Sequence, residues 1–159
     1  MIGEKVEAIV EKILLENPKS SILLLGRYGF DAFHLSHSGK FVYNEKTGGV
    51  TSTKFPNVAL DFMTVHRAKG LGYDNVIIIN ARNEVYGFPS QVQDDPVLKY
   101  VVRDDHSIEY AEERRLFYVA LTRTKNRVYL IVPKERPSSF VLELIDDYLP
   151  VVLHGDIDK

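Results

Sequence analysis

The chain has 159 residues, of which 45% are hydrophobic and 26% are charged, as in one ordinary globular domain. It has no cysteine, which excludes disulfides and thiolate metal sites and fits a reducing, cytoplasmic setting. The formal net charge is −2, so any contact with nucleic acid must be local or shared with another domain. No apolar run reaches the ~18–20 residues that a membrane-spanning helix needs.

The predicted elements alternate between helix and strand along the chain. An apolar stripe at helical spacing predicts a helix over residues 3–16, which ends at Asn17 and Pro18. Helices are also predicted over residues 109–123 and 138–147. Short apolar runs predict strands, most of them covered on both faces: Ile22–Leu25, Phe41–Tyr43, Val58–Met63, Val76–Ile79 and Val128–Val132. This order predicts an α/β fold, with a largely parallel sheet and helices on both sides.

The first segment with chemical potential follows the predicted strand that ends at Met63. Residues 64–72 carry hydroxyl, imidazole, guanidinium and ammonium groups and then glycines. Loops that leave the carboxyl ends of parallel strands commonly form functional sites. The pattern indicates a phosphate contact through side chains and backbone N–H groups, and the alternative is a polar loop whose glycines serve turn geometry.

The second segment is the predicted helix over residues 109–123, which is charged early and apolar late. Leu116, Val119 and Ala120 give it one buried face, on which spacing also places Arg123, and we expect Tyr118 to pack in the core. Structural explanations exist for its charges. Glu112 and Arg115 have the spacing of an exposed ion pair, and Arg123 complements the dipole at a helix end. Composition alone favours these explanations.

Together, the two segments resemble motifs V and VI of superfamily 1 helicases of the UvrD/Rep type. Residues 64–70 are similar to the motif V pattern T-x-H-x-[AS]-K-G, and residues 113–123 to the motif VI pattern E-R-R-L-x-Y-V-[AG]-x-T-R. Residues 24–28 resemble the weaker motif IVa. Within the family the likeness is strongest to the helicase IV type, through Asp61–His66, Gly87–Pro89 and Pro137–Val141. The resemblance covers about Ile22 to Leu144.

The resemblance implies a RecA-like (P-loop NTPase-type) three-layer sandwich that lacks the Walker A half. Residues 1–159 are then a single domain, called 2A, from a longer ATP-dependent DNA helicase. In such motors ATP and Mg²⁺ are bound mainly by an N-terminal RecA-like domain 1A, single-stranded DNA runs across both domains, and the motor moves along the strand 3′ to 5′. We therefore expect this chain alone to bind no cofactor and to be inactive.

The resemblance also assigns roles to individual residues. Arg123 is the catalytic arginine finger, which reaches the γ-phosphate across the cleft between domains. The other implied nucleotide-binding residues are Lys69, Gly70 and Glu113. The implied DNA-binding residues are Thr64, His66, Arg67, Arg27 and Tyr28.

The sequence departs from the family pattern at several places. Many relatives have a Glu that bonds the nucleotide ribose at the position of Gly72. The 35 residues between Gly26 and Phe62 are too few for the large 2B insertion of Rep-type enzymes. No G-x-x-x-x-G-K-[ST] loop occurs, and Leu144–Asp147 resembles a Walker B only superficially, since it falls in a predicted helix. Gly72 and the net negative charge support an alternative, a free-standing interaction module without motor activity.

Other candidate residues are weaker. His34 and His37 have a metal-ligand spacing, but no cysteine or adjacent carboxylate completes a zinc site. The carboxylate pairs Asp94–Asp95 and Asp104–Asp105 are interpreted as solvated loop charge rather than as a magnesium site. Tyr28 and Tyr73 lie beside the motif loops and are open candidates for base stacking. The loop with Tyr86, Phe88 and Pro89 either contacts DNA or shields the edge of the sheet.

Overall fold

Strands and helices alternate in the computed structural model, which describes residues 1–92, 110–147, 152 and 154. The strands are β1 (Ile22–Gly26), β2 (Phe41–Tyr43), β3 (Gly49–Ser52), β4 (Leu60–Thr64), β5 (Tyr73–Ile78) and β6 (Thr124–Leu130). The helices are α1 (Ile2–Glu16), α2 (Phe33–Ser36), α3 (Ala111–Leu121) and α4 (Ser139–Asp147), and Gly29–Ala32 form a 3₁₀ turn. The carboxylate pairs Asp94–Asp95 and Asp104–Asp105 lie outside the described residues.

The strands form one sheet in the order β2-β3-β4-β1-β5-β6. β4, β1, β5 and β6 are parallel neighbours, and Leu24 of β1 lies between Phe62 of β4 and Ile77 of β5. β2 and β3 form an antiparallel hairpin that extends the sheet beyond β4. The prediction of a largely parallel sheet is confirmed. We call the two ends of its four parallel strands the carboxyl end and the amino end of the sheet.

Both faces of the central strand β1 are covered, which explains its uninterrupted apolar sequence. Ile22 and Leu24 join a core with α1 and α2, whereas Leu23 and Leu25 join a second core with α3 and α4. All five residues of β1 are buried, as expected for a strand between two helical layers. The predicted α/β fold is therefore confirmed, with the three layers of a RecA-like domain.

Two expectations about α3 are corrected. The helix ends at Leu121, so Arg123 lies in the turn before β6 and not on the buried helical face. Tyr118 is 67% exposed, although we expected it in the core. Successive helical residues are rotated by about 100°, so only one of two adjacent aromatic rings can face the sheet. That ring belongs to Phe117, which shares the buried stripe of Glu113, Leu116 and Ala120.

The last helix contains the segment that superficially resembles a Walker B. Leu144–Asp147 belongs to α4, as predicted, and its two aspartates are exposed. Across the described ranges, the structure has no helix with the length and apolar character needed to span a membrane.

Candidate nucleotide and DNA site

The segment after β4 crosses from the carboxyl end of the sheet to its amino end, where β5 begins. Val65 and Ala68 are buried in the second core and anchor this segment. The Val65 N–H donates to the Gly26 carbonyl (3.0 Å), and the N–H groups of Arg67 and Ala68 donate to the Thr64 carbonyl (3.0 and 3.2 Å). With one side of the turn fixed in the core, the polar side chains on its other side are exposed: His66, Arg67 and Lys69.

The turn ends at Gly70, which brings the chain to the amino end of the sheet. Its φ of 79° lies in the left-handed region, where a residue with a side chain would be strained. The backbone conformation therefore explains why this position is a glycine. Three residues later the Tyr73 N–H donates to the Arg123 carbonyl (2.9 Å). The structure therefore brings Lys69 and Gly70 to the same end of the sheet as Arg123.

The Arg123 guanidinium folds back against the carboxyl end of α3. Its Nε donates to the Val119 carbonyl at 3.1 Å, where the helix dipole is negative. Nη1 reaches the Leu71 carbonyl at 3.5 Å and Nη2 reaches the Thr122 hydroxyl at 3.4 Å, and both contacts are long for hydrogen bonds. Arg123 therefore does interact with the carboxyl end of a helix, as one of the two explanations from the sequence predicts. Its Nη1 and Nη2 atoms are held only weakly, so these two donors are chemically able to bind a phosphate.

A partly buried ion pair joins Arg27 and Glu113 at the carboxyl end of the sheet. The Arg27 Nη2 and Nε donate to the Glu113 carboxylate at 2.6 and 3.0 Å, and the Ser90 N–H donates to the same carboxylate at 2.9 Å. The two side chains are only 15% and 11% exposed. The hydrogen bond to Glu113 raises the pKa of Arg27, against the opposing effect of burial. The guanidinium is therefore committed to Glu113.

Tyr28 is tied into the same network. Its hydroxyl is hydrogen-bonded to the Ser90 hydroxyl, and the Arg27 guanidinium lies 4.8 Å from its ring centroid. The Asp31 carboxylate accepts hydrogen bonds from the Tyr28 N–H and the Asn80 amide, each at 2.9 Å. Burial raises the pKa of Asp31, and these hydrogen bonds oppose the shift. The Asp31 carboxylate and the Ser90 hydroxyl thus hold Tyr28 in place just after β1.

The predicted site residues form two groups at opposite ends of the sheet. Arg27, Tyr28, Thr64 and Glu113 lie at the carboxyl end, Lys69, Gly70 and Arg123 lie at the amino end, and His66 and Arg67 lie on the turn that connects the two ends. Glu113 and Leu121 are eight residues apart in α3, a distance of about 12 Å at the helical rise of 1.5 Å per residue, and Arg123 lies two residues beyond the helix end. The structure therefore does not bring Glu113 to the other nucleotide-binding candidates, because it pairs with Arg27 instead.

Sequence reasoning missed Ser90 and Asp31, which hold this network together. Ser90 bonds both Glu113 and Tyr28, and Asp31 fixes the backbone of Tyr28. The pairing of Arg27 with Glu113 joins residues that are 86 positions apart. No local spacing in one sequence signals such a contact.

The sequence left two roles open for the loop after β5, contact with DNA or shielding of the sheet, and its aromatic residues differ in burial. Phe88 is fully buried and contacts Phe117 edge to face, with ring centroids 5.2 Å apart, so this residue shields the second core. Tyr86, two residues earlier, is 57% exposed.

His34 and His37 lie on and just after α2. In the described part of the chain, no three or more His, Cys, Asp or Glu side chains are grouped to hold a metal ion.

Comparison with known proteins decides the family. Residues 44–135 match the family model of the UvrD-like helicase C-terminal domain, which is more than half of the chain and includes both motif segments. The chain belongs to this family. It is 34% identical over 148 residues to DNA helicase IV of Escherichia coli (strain K12), an alignment that covers 92% of this chain and 20% of that protein.

Further relatives of this UvrD-like domain are also helicases. It is 29% identical over 154 residues to DNA helicase II of Rickettsia typhi, which covers 91% of this chain and 21% of the relative. It is 31% identical over 97 residues to ATP-dependent DNA helicase PcrA of Staphylococcus epidermidis, which covers 55% of this chain and 12% of the relative. The family resemblance stated from the motifs is confirmed. The chain spans about a fifth of the length of DNA helicase IV.

Proposed function

We propose that this UvrD-like domain is domain 2A of an ATP-dependent DNA helicase that works in the cytoplasm and moves 3′ to 5′ along single-stranded DNA. The observation that carries the proposal is the segment after β4. It joins a group of polar side chains at the carboxyl end of the sheet to a second group at the amino end, beside Arg123. Such a connection suits a motor in which nucleotide and DNA bind at different ends of one domain. The direction of movement rests on the motif resemblance alone.

At the amino end, Arg123 acts as the arginine finger for ATP held by a domain 1A of the same polypeptide. Domain 1A also holds most of the contacts to Mg²⁺. The planar guanidinium fork stabilises charge on the γ-phosphoryl group during its transfer, which the point charge of a lysine does less well. Nη1 and Nη2 have only long contacts among the described residues, so a move to a phosphate breaks one normal hydrogen bond, from Nε to the Val119 carbonyl. Lys69 and Gly70 shape the turn beside it.

At the carboxyl end, the strand of DNA contacts Thr64, His66, Arg67 and Tyr28. His66 and Arg67 are exposed, and the guanidinium of Arg67 suits a contact to the phosphate backbone, which positions a strand without reading its sequence. Arg27 acts differently, because a phosphate would have to displace Glu113 from it. We assign Arg27 and Glu113 a positioning role, in which they hold the segments that carry Tyr28 and the start of α3.

The finger is tested by Arg123→Ala in the complete protein. We expect the kcat of the DNA-stimulated ATPase to fall by about 10³-fold or more, while the affinity for ATP changes much less. Arg123→Lys should restore little of the activity, since it lacks the fork. Arg127→Ala is a matched control, because Arg127 is an exposed arginine on β6 that pairs with Glu16. A normal kcat in Arg123→Ala would reject the finger and favour the alternative of an interaction module without a motor.

A further inference from the structure

Tyr73, the first residue of β5, forms hydrogen bonds in two directions at the amino end of the sheet. Its backbone N–H donates to the Arg123 carbonyl at 2.9 Å, and its side-chain hydroxyl donates to the Asp61 carboxylate at 3.1 Å. The first bond holds the peptide unit of the proposed arginine finger, and the second reaches β4. Tyr73 therefore joins the turn that carries Arg123 to a strand that is not its neighbour in the sheet.

The bond from Tyr73 to Asp61 spans the central strand, because β1 lies between β4 and β5. Leu60 and Phe62 belong to the first core, so the alternation of side chains along β4 places Asp61 on the opposite face, which α3 covers. The Tyr73 ring is partly buried against the second core on that same face. Burial raises the pKa of the Tyr73 hydroxyl, and the Asp61 carboxylate raises it further, so the hydroxyl keeps the proton that it donates.

Other contacts of the same segment converge on the turn around Arg123. The Leu71 carbonyl, two residues before Tyr73, lies 3.5 Å from the Arg123 Nη1. Thr124, which follows the finger, is the strand partner of Tyr73, and its hydroxyl donates to the Asp74 carbonyl at 2.9 Å. The start of β5 thus contacts the finger and the residue after it, and the Tyr73 hydroxyl ties this segment to β4.

We propose that Tyr73, held by Asp61, is a positioning residue for the arginine finger Arg123. This inference rests on the proposed helicase function, and it adds two residues that lie outside the motif segments 64–70 and 113–123. A displacement of about 1 Å in a group that acts on the reacting atoms can cost about 10²-fold in rate. A residue that fixes the turn therefore changes the rate of ATP hydrolysis without touching the nucleotide.

The role differs from the base stacking for which the sequence left Tyr73 open. A stacking ring needs a free face, whereas this ring packs against the second core and its hydroxyl is bonded to Asp61. The acceptor is a carboxylate, and a hydrogen bond to an ionised group is stronger than one between neutral groups. The geometry therefore favours a fixed support for the turn over a surface for bases.

The test uses the complete protein with single-stranded DNA and two readouts, ATPase kinetics and the affinity for ADP–aluminium fluoride. This complex imitates the phosphoryl group during transfer, so its affinity reports on groups that act in the transition state. We expect Tyr73→Phe to lower kcat and to weaken the analogue, each by about 5- to 50-fold, while the KM for ATP and the Kd for the strand change by less than about 2-fold.

Variants of the acceptor and a matched tyrosine test the hydrogen bond itself. Asp61→Ala should act like Tyr73→Phe, whereas Asp61→Asn keeps an acceptor oxygen and should retain most of the activity. Tyr43→Phe is the matched control, because it removes the hydroxyl of another partly buried tyrosine, on β2, whose ring contacts Phe62 edge to face. A normal kcat in Tyr73→Phe or in Asp61→Ala would overturn the inference.

A double-mutant cycle with Arg123→Ala separates positioning of the finger from a general effect on the fold. In the Arg123→Ala protein, adding Tyr73→Phe should not weaken the analogue further, because the group that it positions is gone. A further loss of the same size would show that Tyr73 acts independently of Arg123 and would overturn the inference. If Arg123→Ala itself binds the analogue normally, the finger fails and the role of Tyr73 fails with it. If only Tyr73→Phe binds it normally, the finger stands and the positioning role alone fails.

Discussion

Two glycines in the segment after β4 differ in what the backbone requires of them. Gly70 has a φ of 79°, so a side chain there would strain the turn that leads to the amino end of the sheet. The φ of Gly72 lies outside the left-handed region. A Cβ at Gly72 would meet the Lys125 Cε at 3.4 Å, which is an ordinary contact distance. The backbone therefore explains the first glycine and does not explain the second.

This difference permits a gain-of-contact experiment at Gly72, the position at which the motif resemblance implies a ribose-binding Glu. We predict that Gly72→Glu in the complete protein lowers the KM for ATP by about 2- to 10-fold, the effect of one net hydrogen bond of ~0.5–1.5 kcal/mol. The measurement is steady-state ATPase at saturating single-stranded DNA. We expect the new carboxylate to reach the ribose because Gly72 is exposed and follows Leu71, whose carbonyl contacts the proposed finger Arg123.

Two controls separate a ribose contact from other causes. Gly72→Ala changes the backbone freedom without adding a carboxylate, so its KM should stay close to the original value. An ATP analogue without ribose hydroxyls should show no gain with Gly72→Glu. An equal gain with this analogue, or no gain with ATP, would contradict the ribose contact at this position.

At the scale of elements, α3 connects the two ends of the sheet. Glu113 in its first turn pairs with Arg27 at the carboxyl end, and Arg123 lies in the turn that follows it at the amino end. Its inner face, with Leu116 and Ala120 fully buried, fixes the helix against the second core. The position of Arg123 therefore depends on the contacts at both ends of α3.

We predict that Glu113→Ala lowers the free energy of unfolding by about 2–4 kcal/mol, because it leaves the Arg27 guanidinium without its partner in a mostly buried position. The neighbouring Glu112→Ala should change it by about 0.5 kcal/mol or less, since Glu112 is an exposed residue paired with Arg115. Urea unfolding of both variants, monitored by circular dichroism, compares the two. Equal effects would show that the buried pair contributes no more than a surface pair.

The elements differ in how well the sequence predicts them. β1 and β5 lie inside the sheet with both faces covered, so their continuous apolar runs reveal them. The sequence does not predict β3. Gly49–Ser52 has only four residues and lies near the outer side of the sheet, so it has no continuous apolar run. β6 starts four residues before the predicted strand, and its first half is polar because no strand pairs with its outer side in the described sheet.

The candidate site was predictable where it follows a local pattern and not where it depends on tertiary contacts. The motif segments place Thr64, Lys69 and Arg123 without reference to the fold. The partner of Glu113 depends on how β1 and α3 approach each other, which the spacing of residues along the chain does not contain. We also expected Tyr118 in the core, whereas Phe117 is the aromatic residue that shares the buried stripe with Leu116 and Ala120.

At the scale of the whole molecule, the sheet separates the two groups of candidate site residues. The amino end provides Arg123 and the turn at Gly70, and the described residues provide no P-loop to hold the phosphates that a finger would stabilise. The chain spans about a fifth of DNA helicase IV, so most of a comparable protein lies outside it. An arginine finger contributes a factor of about 10³–10⁵ to a reaction only on a nucleotide that other groups have already positioned.

We therefore predict that the isolated chain hydrolyses ATP no faster than the buffer background, with or without single-stranded DNA, whereas the complete protein shows DNA-stimulated hydrolysis. The measurement is phosphate release at equal molar concentrations of both proteins. Arg123→Ala in the isolated chain is the control, because background hydrolysis by a contaminant would not respond to it. Hydrolysis by the isolated chain that disappears with Arg123→Ala would contradict the two-domain site, since it would require this domain alone to position the nucleotide.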